Sequence, residues 1–306
     1  MLLEAVLSLV GLGLLVFGAN RTITSAGELA LHYGVSPFFI GVTVISVGTS
    51  LPEMTTSIYA ALYGAGDIVV GNIIGSEISQ ITLAVGIVAL VAPITGERRN
   101  VVVYGGAMTL AMIIMMLTLE DGLLIRSEGF LMMLSYAFFV YTIYTNEGGE
   151  EVTEEVIETR GSPRETVPWI AGGLVLVVGG GQLMVSNGIE LARLAGVSEY
   201  LVGLLTGLGT TLPEIAVASI AAREGEEGIS VGSLLGSNIT DPVFSLGVGA
   251  LVADIAVSDP AGVFSSMTYM LAVSIVVLSL FWLREGIDRR MALLCIALYL
   301  PSFVVT

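Results

Sequence analysis

The sequence contains no lysine and little charge of any kind. All eleven of its basic residues are arginine, and 27 acidic residues outnumber them, which gives a formal net charge of −16 over 306 residues. Nucleic acid is therefore excluded as a natural partner, because binding to phosphates requires a basic surface.

Cysteine and histidine are almost absent as well. Cys295 and His32 are the single residues of each type. One cysteine rules out a disulfide framework and a thiolate metal cluster, and one imidazole rules out a histidine cluster. An intramembrane hydrolase would need a nucleophile with a base, and the sequence offers no Cys–His pair. We therefore expect neither enzymatic activity nor a cofactor.

Apolar residues dominate instead. The mean hydropathy is +0.92 and 55% of the residues are hydrophobic, which favours a chain surrounded by lipid. A bilayer-spanning helix needs about 20 apolar residues. Without a basic segment or a cleavage site, the N-terminus is predicted to be a retained first helix. The candidate spans are 2–30, 37–62, 70–92, 101–119, 123–144, 168–194, 200–222, 230–253, 262–283 and 289–305.

The long polar stretch at 146–167 divides these ten helices into two groups of five, 1–145 and 168–306. It is too charged to enter lipid, and we interpret it as a linker. Apart from the exceptions Arg126 and Arg193, the loop arginines fall in odd-numbered loops, which the positive-inside rule makes cytoplasmic. These are Arg98, Arg99, Arg160, Arg164, Arg223, Arg284, Arg289 and Arg290. The linker is then cytoplasmic, and both termini of this multi-pass cell-membrane protein are extracellular.

An internal repeat links the two halves. The sequence GTSLPE at 48–53 recurs as GTTLPE at 209–214, and Gly-Ser at 75–76 recurs at 236–237, both at an offset of 161. Five is an odd number, so the second copy enters the membrane from the opposite face. The predicted fold is all-α, with ten transmembrane helices arranged as two inverted five-helix repeats, an architecture of secondary transporters.

A proline interrupts the helix in each copy. Pro52 has no N–H to give to the carbonyl of Gly48, and Pro213 leaves Gly209 in the same position. A freed carbonyl at membrane depth needs a cation or a water-lined cavity, so the sequence predicts a broken helix that lines a site.

Oxygen-bearing side chains surround both breaks. Their carboxylates and hydroxyls are the hard ligands that Ca²⁺ and Na⁺ prefer. The four-residue spacing also predicts that Thr49 and Glu53 share one helix face. Two converging glutamates carry a charge of −2, which one Ca²⁺ or two Na⁺ would neutralise. The candidate ligands at the breaks are Thr49, Ser50, Glu53, Thr210, Thr211 and Glu214.

The following helix of each repeat adds further candidates. Ser76 and Ser237 recur in register, and Asp241 is a carboxylate at membrane depth with Gln80 as its repeat mate. Small residues in the same stretches predict close helix packing. They are Gly71, Gly75, Gly232 and Gly236.

Together these stretches resemble the alpha-1 (41–86) and alpha-2 (203–247) repeats of the cation/Ca²⁺ exchanger superfamily, in its prokaryotic Na⁺/Ca²⁺ exchanger branch. The resemblance implies a ten-helix fold with four central cation sites. It also places Thr49, Ser50, Glu53, Ser76, Thr210, Thr211, Glu214, Ser237 and Asp241 on ion-binding positions.

Three features depart from that family. Gln80 replaces a shorter side chain, Glu77 stands where a small or amide residue is expected, and one residue is deleted between Gly203 and Gly209. These changes bear on stoichiometry and ion preference.

The leading hypothesis is a Na⁺/Ca²⁺ antiporter that works by alternating access. An exchanger of H⁺ for Ca²⁺ or another divalent ion is the near alternative, and a passive cation channel is the distant one. The partners are the transported ions and the lipid bilayer, and a monomer is compatible with the sequence.

Overall fold

The structure is a computed structural model that describes residues 2–95, 98–147, 163–194 and 211–302. Helices account for nearly all of them. The α-helices are α1 (Leu2–Tyr33), α2 (Pro37–Ile40), α3 (Ser46–Thr49), α4 (Leu51–Leu62), α5 (Gly66–Ser79), α6 (Val85–Val91), α7 (Arg98–Thr118), α8 (Arg126–Glu147), α9 (Pro163–Leu194), α10 (Leu212–Glu224), α11 (Glu227–Thr240), α12 (Leu246–Val252), α13 (Pro260–Arg284) and α14 (Arg289–Tyr299). Wider π-helical turns connect some of them, at π1 (Gly41–Ile45), π2 (Gln80–Ala84) and π3 (Asp241–Ser245).

Several helices are long and apolar enough to cross a bilayer, which fits a multi-pass membrane protein. Within the described ranges, length and composition qualify Leu2–Tyr33, Gly66–Val91, Val101–Thr118, Pro163–Gly188 and Pro260–Arg284. The bent pair Pro37–Thr49 and Leu51–Leu62 makes a sixth span if counted as one. The ten-span arrangement stays a prediction.

The linker predicted at 146–167 has helix at both ends. Helix α8 continues to Glu147, and α9 begins at Pro163, while 148–162 lie outside the described residues. The helix ends were predicted from the ends of the apolar runs, and these mark only the part of a helix that is embedded in lipid. Polar turns extend a helix beyond that part, and Pro163 is well suited to a first helical position.

The start of the fifth helix and the end of the last helix also differ from the prediction. The fifth helix starts at Arg126 rather than 123, because Leu123–Leu124 pair as a strand. The last helix stops at Tyr299, two residues before Pro301, whose missing N–H cannot continue the helical hydrogen bonds.

Helices α1 and α9 cross so closely that their contact admits only glycine. A Cβ at Gly18 would lie 2.6 Å from the carbonyl oxygen of Gly173, and one at Gly180 would lie 2.7 Å from that of Gly11. Gly173 and Gly180 lie 162 residues after Gly11 and Gly18. Gly18 therefore contacts the repeat mate of Gly11, and Gly11 contacts the repeat mate of Gly18.

Two short antiparallel ribbons join the halves of the chain. Strand β1 (Ile94–Thr95) pairs with β4 (Gly286–Ile287), and β2 (Leu123–Leu124) pairs with β3 (Ile255–Ala256). Helix α7 runs between β1 and β2, so the ribbons lie at opposite ends of this helix.

The helices of the two halves interlock around the proline breaks. Helix α4 contacts π3 and α12 of the second half, and α10 contacts π2 and α6 of the first. The predicted ligand-bearing segments therefore meet inside the bundle.

Candidate cation-binding site

The proline break of the first half lies at Ser50. Helix α3 ends at Thr49, α4 begins at Leu51, and the two arms meet at 45°. The break falls where the sequence predicted it. The bend falls between Thr49 and Glu53, and the shared face expected from their four-residue spacing stays a prediction. In the second half, Thr211 directly precedes α10.

The two glutamates that follow the breaks point into the protein. Glu53 and Glu214 are 0% exposed. Glu53 Oε1 lies 3.3 Å from the hydroxyl of Ser76, while both oxygens of Glu214 lack a hydrogen-bond partner in the described part of the chain. The Glu53 carboxylate lies within electrostatic range of Glu214 and Asp241, and no basic side chain of the described residues interacts with it. Two acidic groups therefore share a buried region without a countercharge.

Asp241 and Gln80, the predicted repeat mates, contact each other across the two halves. Gln80 Nε2 donates to Asp241 Oδ2 at 3.0 Å, and Ser245 Oγ donates to Asp241 Oδ1 at 2.9 Å. Gln80 opens π2 and Asp241 opens π3, so each sits where the helix widens. Such single-turn π segments are frequent at functional sites.

The predicted hydroxyl ligands are buried around these carboxylates. The Thr49 hydroxyl faces Glu214 without a hydrogen bond of good geometry to it, and lies 3.2 Å from the carbonyl oxygen of Ile45. Ser50 faces Asp241, but neither its hydroxyl nor that of Ser237 makes a hydrogen bond of good geometry to the described residues. These oxygens remain available to a ligand. Thr210 lies outside the described residues.

The sequence reasoning missed several hydroxyls that line the same region. The missed Ser79 Oγ lies 2.6 Å from Oγ1 of the predicted ligand Thr211, and the missed Ser46 Oγ and Thr240 Oγ1 lie 3.2 Å from each other. Ser245 was also missed, although its place four residues after Asp241 puts it on the same helix face. Its repeat mate in the first half is Ala84, so a search by repeats alone does not find it.

Close packing was predicted for four glycines and is observed for two of them. A Cβ at Gly232 would lie 2.5 Å from the carbonyl oxygen of Phe38, and one at Gly236 would lie 2.6 Å from Val42 Cα. For Gly71 and Gly75 the structure shows no neighbour within 4 Å of such a Cβ. The part of the second half that corresponds to 37–46 lies outside the described residues, so their packing stays a prediction.

The donor set consists of hard oxygens. Among the described residues, no three His, Cys, Asp or Glu side chains lie close enough to hold one metal ion. A cation here would therefore be held by a pair of carboxylates together with neutral hydroxyl and carbonyl oxygens. Such oxygens suit Ca²⁺ and Na⁺ better than a soft transition metal.

Known proteins are similar to this chain both in sequence and in architecture. The family model described as sodium/calcium exchanger protein matches residues 3–145 and 166–306, which is most of the chain. The chain belongs to this exchanger family. The family consists of transporters rather than enzymes, and its members are membrane antiporters that work without a cofactor.

Relatives match this exchanger over nearly their full length. Inner membrane protein YrbG of Escherichia coli strain K12 is 34% identical, over 93% of this chain and 90% of YrbG. Sodium/calcium exchanger MaX1 of Methanosarcina acetivorans is 28% identical, over 97% of this chain and 96% of MaX1. A solved structure of the sodium-calcium exchanger NCX_Mj, soaked with Na⁺ and Ca²⁺, matches with a TM-score of 0.82 at 29% identity, covering 99% of this chain and 98% of that one.

Proposed function

We propose that this exchanger is a Na⁺/Ca²⁺ antiporter that extrudes Ca²⁺ by alternating access, driven by Na⁺ entry. The observation that carries the proposal is the burial of Glu53 and Glu214, one from each half, within electrostatic range of each other and without a basic partner among the described residues. The names of MaX1 and NCX_Mj, which refer to sodium and calcium, support the same pair of ions.

The buried charge explains how exchange is coupled. A buried carboxylate without a counterion costs several kcal/mol, so the empty site resists passing through the apolar barrier. One Ca²⁺ or two Na⁺ neutralise the Glu53–Glu214 pair. Because the two ions compete for the same oxygens, each crosses on a different leg of the cycle.

The proposed ligands are the oxygen-bearing side chains of the two repeats. The geometry above supports those among them that the structure describes, since it buries all of them in one region. The set is Thr49, Ser50, Glu53, Ser76, Gln80, Thr210, Thr211, Glu214, Ser237 and Asp241.

The proposed architecture has ten membrane helices in two inverted repeats, 1–145 and 168–306, with a cytoplasmic linker at 146–167 and both termini outside the cell. The ribbons support it. Strand β3 lies 161 residues after β1, which is the offset between the two repeats. The β2–β3 ribbon is therefore the counterpart of the β1–β4 ribbon, with the roles of the two halves exchanged. These ribbons lie at opposite ends of α7, as a two-fold axis in the membrane plane requires.

A flux assay tests the function. Proteoliposomes are loaded with Na⁺ and diluted into Na⁺-free medium that contains ⁴⁵Ca²⁺. We expect Ca²⁺ to accumulate above its external concentration only while the outward Na⁺ gradient lasts. Liposomes with equal Na⁺ on both sides serve as the control. Absence of gradient-dependent uptake contradicts the proposal, and uptake that never exceeds equilibrium indicates a passive channel.

Exchange of H⁺ for Ca²⁺ is the second candidate. It is favoured by the oxygens of Glu214, which lack a hydrogen-bond partner among the described residues, since a proton neutralises a buried carboxylate as a Na⁺ does. In the same liposomes, a pH gradient imposed without Na⁺ separates the two. Ca²⁺ uptake driven by the pH gradient alone supports H⁺ coupling, and uptake that requires Na⁺ supports the proposal.

A further inference from the structure

A groove runs between the first turns of α7 and the last turns of α13, on the outside of the bundle. Its volume is about 230 Å³, and the side chains that line it are apolar or aromatic except for Ser279. The two helices touch at its floor, where a Cβ at Gly105 would lie 2.8 Å from Leu278. Gly106 is exposed, and a Cβ there would have no neighbour within 4 Å. The missing side chain of Gly106 therefore keeps the groove open.

One end of the groove adjoins a cluster of arginines. Trp282 lines the groove, and the guanidinium carbon of Arg98 lies 5.3 Å from the centre of its ring. The β1–β4 ribbon brings the start of α7 next to the turn between α13 and α14. Segments 97–99 and 284–290 hold five of the eleven arginines and three acidic residues, a net charge of +2 in a chain of net charge −16. The arginine cluster consists of Arg98, Arg99, Arg284, Arg289 and Arg290.

The arginine cluster has guanidinium groups to spare. Arg99 and Arg289 are exposed, and neither lies within ion-pair distance of an acidic side chain in the part of the chain that the structure describes. A guanidinium group can bind a phosphate through two parallel hydrogen bonds. The other members of the cluster face Glu285 or Asp288, and they are Arg98, Arg284 and Arg290.

The opposite end of the same two helices carries the reverse charge. Glu120 and Asp121 follow α7, Asp254 and Asp259 precede α13, and all four carboxylates are exposed. An anionic group is repelled there and attracted at the arginine cluster. In the proposed orientation, the arginine cluster faces the cytoplasmic leaflet, where anionic lipids are concentrated.

We propose that the groove is a binding site for one anionic phospholipid, with an acyl chain against Gly106 and the phosphate at the arginine cluster. The distance from Trp282 to Ile275 along α13 is about 10 Å, which fits within one hydrocarbon leaflet of about 15 Å. Trp282 then lies between acyl chain and headgroup, the depth that tryptophan favours in membranes. The inference concerns a surface apart from the cation site, and it does not depend on the proposed antiport.

Native mass spectrometry of the purified, full-length protein counts the bound lipids. Delipidated protein is titrated with phosphatidylglycerol, which is anionic, or with zwitterionic phosphatidylcholine that has the same acyl chains. We expect one phosphatidylglycerol per chain to bind about tenfold more tightly than phosphatidylcholine, because each arginine near the phosphate contributes roughly fivefold. Arg99→Gln and Arg289→Gln should each weaken phosphatidylglycerol binding by roughly fivefold and leave phosphatidylcholine binding unchanged.

Gly106→Leu tests the groove itself. The new side chain occupies the place of about two methylenes of the acyl chain, so we expect phosphatidylglycerol binding to weaken by roughly tenfold. Gly13→Leu is the matched control, because Gly13 is also an exposed helical glycine at which a Cβ would have no neighbour within 4 Å. Circular dichroism without lipid should show equal folding of both variants. If Gly106→Leu does not fold, Gly106→Ala and the two arginine variants decide.

Several results overturn the proposal. One is equal affinity for the two lipids, and another is unchanged phosphatidylglycerol binding in folded Gly106→Leu or in both arginine variants. Displacement of phosphatidylglycerol by an equal concentration of inorganic phosphate would show that the arginines bind free phosphate without the groove. A dimer that Gly106→Leu dissociates would show that the groove is an interface between two copies of the chain.

Discussion

At the scale of single residues, the site is defined by buried acceptors that lack donors. Glu214, Ser237 and Gln80 each keep at least one side-chain oxygen without a hydrogen-bond partner among the described residues. In a stably folded interior such atoms are rare, because each costs about 1–3 kcal/mol when left unsatisfied. Their concentration at the repeat motifs is best explained by an ion that they share.

Replacement of either break glutamate by glutamine tests the charge directly. Glu53→Gln and Glu214→Gln each keep the size of the side chain but leave the glutamate pair with one negative charge instead of two. Since an interaction with a charged ligand contributes about 1.5–3 kcal/mol, we expect Na⁺-driven ⁴⁵Ca²⁺ exchange to fall by roughly 100-fold. Glu120→Gln is the control for loss of an exposed carboxylate.

Folding should survive both substitutions. Removing a buried charge that has no countercharge among the described residues is neutral or stabilising, so the melting temperature of the ion-free protein should stay the same or rise. If either variant exchanges Ca²⁺ as fast as the control does, its glutamate is not a ligand. If either unfolds, the glutamate has a structural role that the geometry does not predict.

Asp288, outside the membrane-spanning helices, gives a prediction about pH. Its carboxylate accepts hydrogen bonds from the backbone N–H groups of Met291 and Arg290 at the start of α14, and these hold the pKa of Asp288 below its ordinary value of 3.8. A lowered pKa means that the ionised form is stabilised in the folded state. The contribution is therefore present above the ordinary pKa and is lost as the pH falls through the folded one.

The comparison of Asp288→Ala with wild type checks this sign. The melting temperature of the variant should be lower at neutral pH, since the helix loses its N-terminal cap. The gap between the two proteins should shrink at a pH well below 3.8. Asp288→Asn, which can still cap the helix, is the control and should show a smaller, pH-independent effect. A gap that widens in acid contradicts the assignment.

At the scale of the helix, interruptions create the site. The proline break at Ser50 turns the chain by 45°, and π2 and π3 begin at Gln80 and Asp241. A regular α-helix uses all its interior carbonyls in its own hydrogen bonds, whereas an interrupted one can present oxygens to a ligand. The interruptions therefore supply polar groups at a depth where an unbroken helix would supply none.

The contact between α1 and α9 offers a paired test at adjacent positions. A Cβ at Gly173 would overlap Thr22 Oγ1, whereas one at Gly172 would have no neighbour within 4 Å. We expect Gly173→Ala to destabilise the protein by about 1–3 kcal/mol through overpacking. Gly172→Ala should be neutral or slightly stabilising, because alanine favours a helix over glycine by about 1 kcal/mol.

Thermal unfolding in detergent, followed by circular dichroism, measures both variants. The order of the melting temperatures is the prediction: Gly173→Ala lowest, with Gly172→Ala at or above wild type. Equal melting temperatures for the two variants would show that α1 and α9 do not approach as closely as the structure has them.

At the scale of the whole molecule, the proposed opposite orientation of the halves would place equivalent loops on opposite faces of the membrane. The turn that contains Glu120 and the strand residue Thr95 lie at the two ends of α7, and both residues are exposed. If both termini lie outside, as proposed, we expect Thr95 to face the cytoplasm and Glu120 to face the exterior.

Cysteine labelling of intact cells measures this topology. In a Cys295→Ala background, Glu120→Cys should react with a membrane-impermeant maleimide added outside, and Thr95→Cys should react only after the cells are permeabilised. The reverse pattern would invert the proposed orientation. Labelling of both residues from the same side would show that α7 does not cross the membrane.

The sequence by itself determined the membrane class, the duplication, the position of the proline break in the first half and the residues that flank it. These features are local or repeat along the chain: apolarity is a property of a segment, and Pro52 interrupts its helix through its own missing N–H. The family also followed from two motifs in register, and the match over 3–145 and 166–306 confirms it.

Only the tertiary structure decided which oxygens meet. The contact between Gln80 and Asp241 spans 161 residues, Ser245 has no repeat mate that marks it, and the burial of Glu77 beside Asp241 is invisible in a linear pattern. Whether a polar residue at membrane depth faces lipid, a neighbouring helix or an ion depends on how the two halves pack. That packing is set by contacts between distant segments, such as the glycine crossing of α1 and α9, which no local pattern encodes.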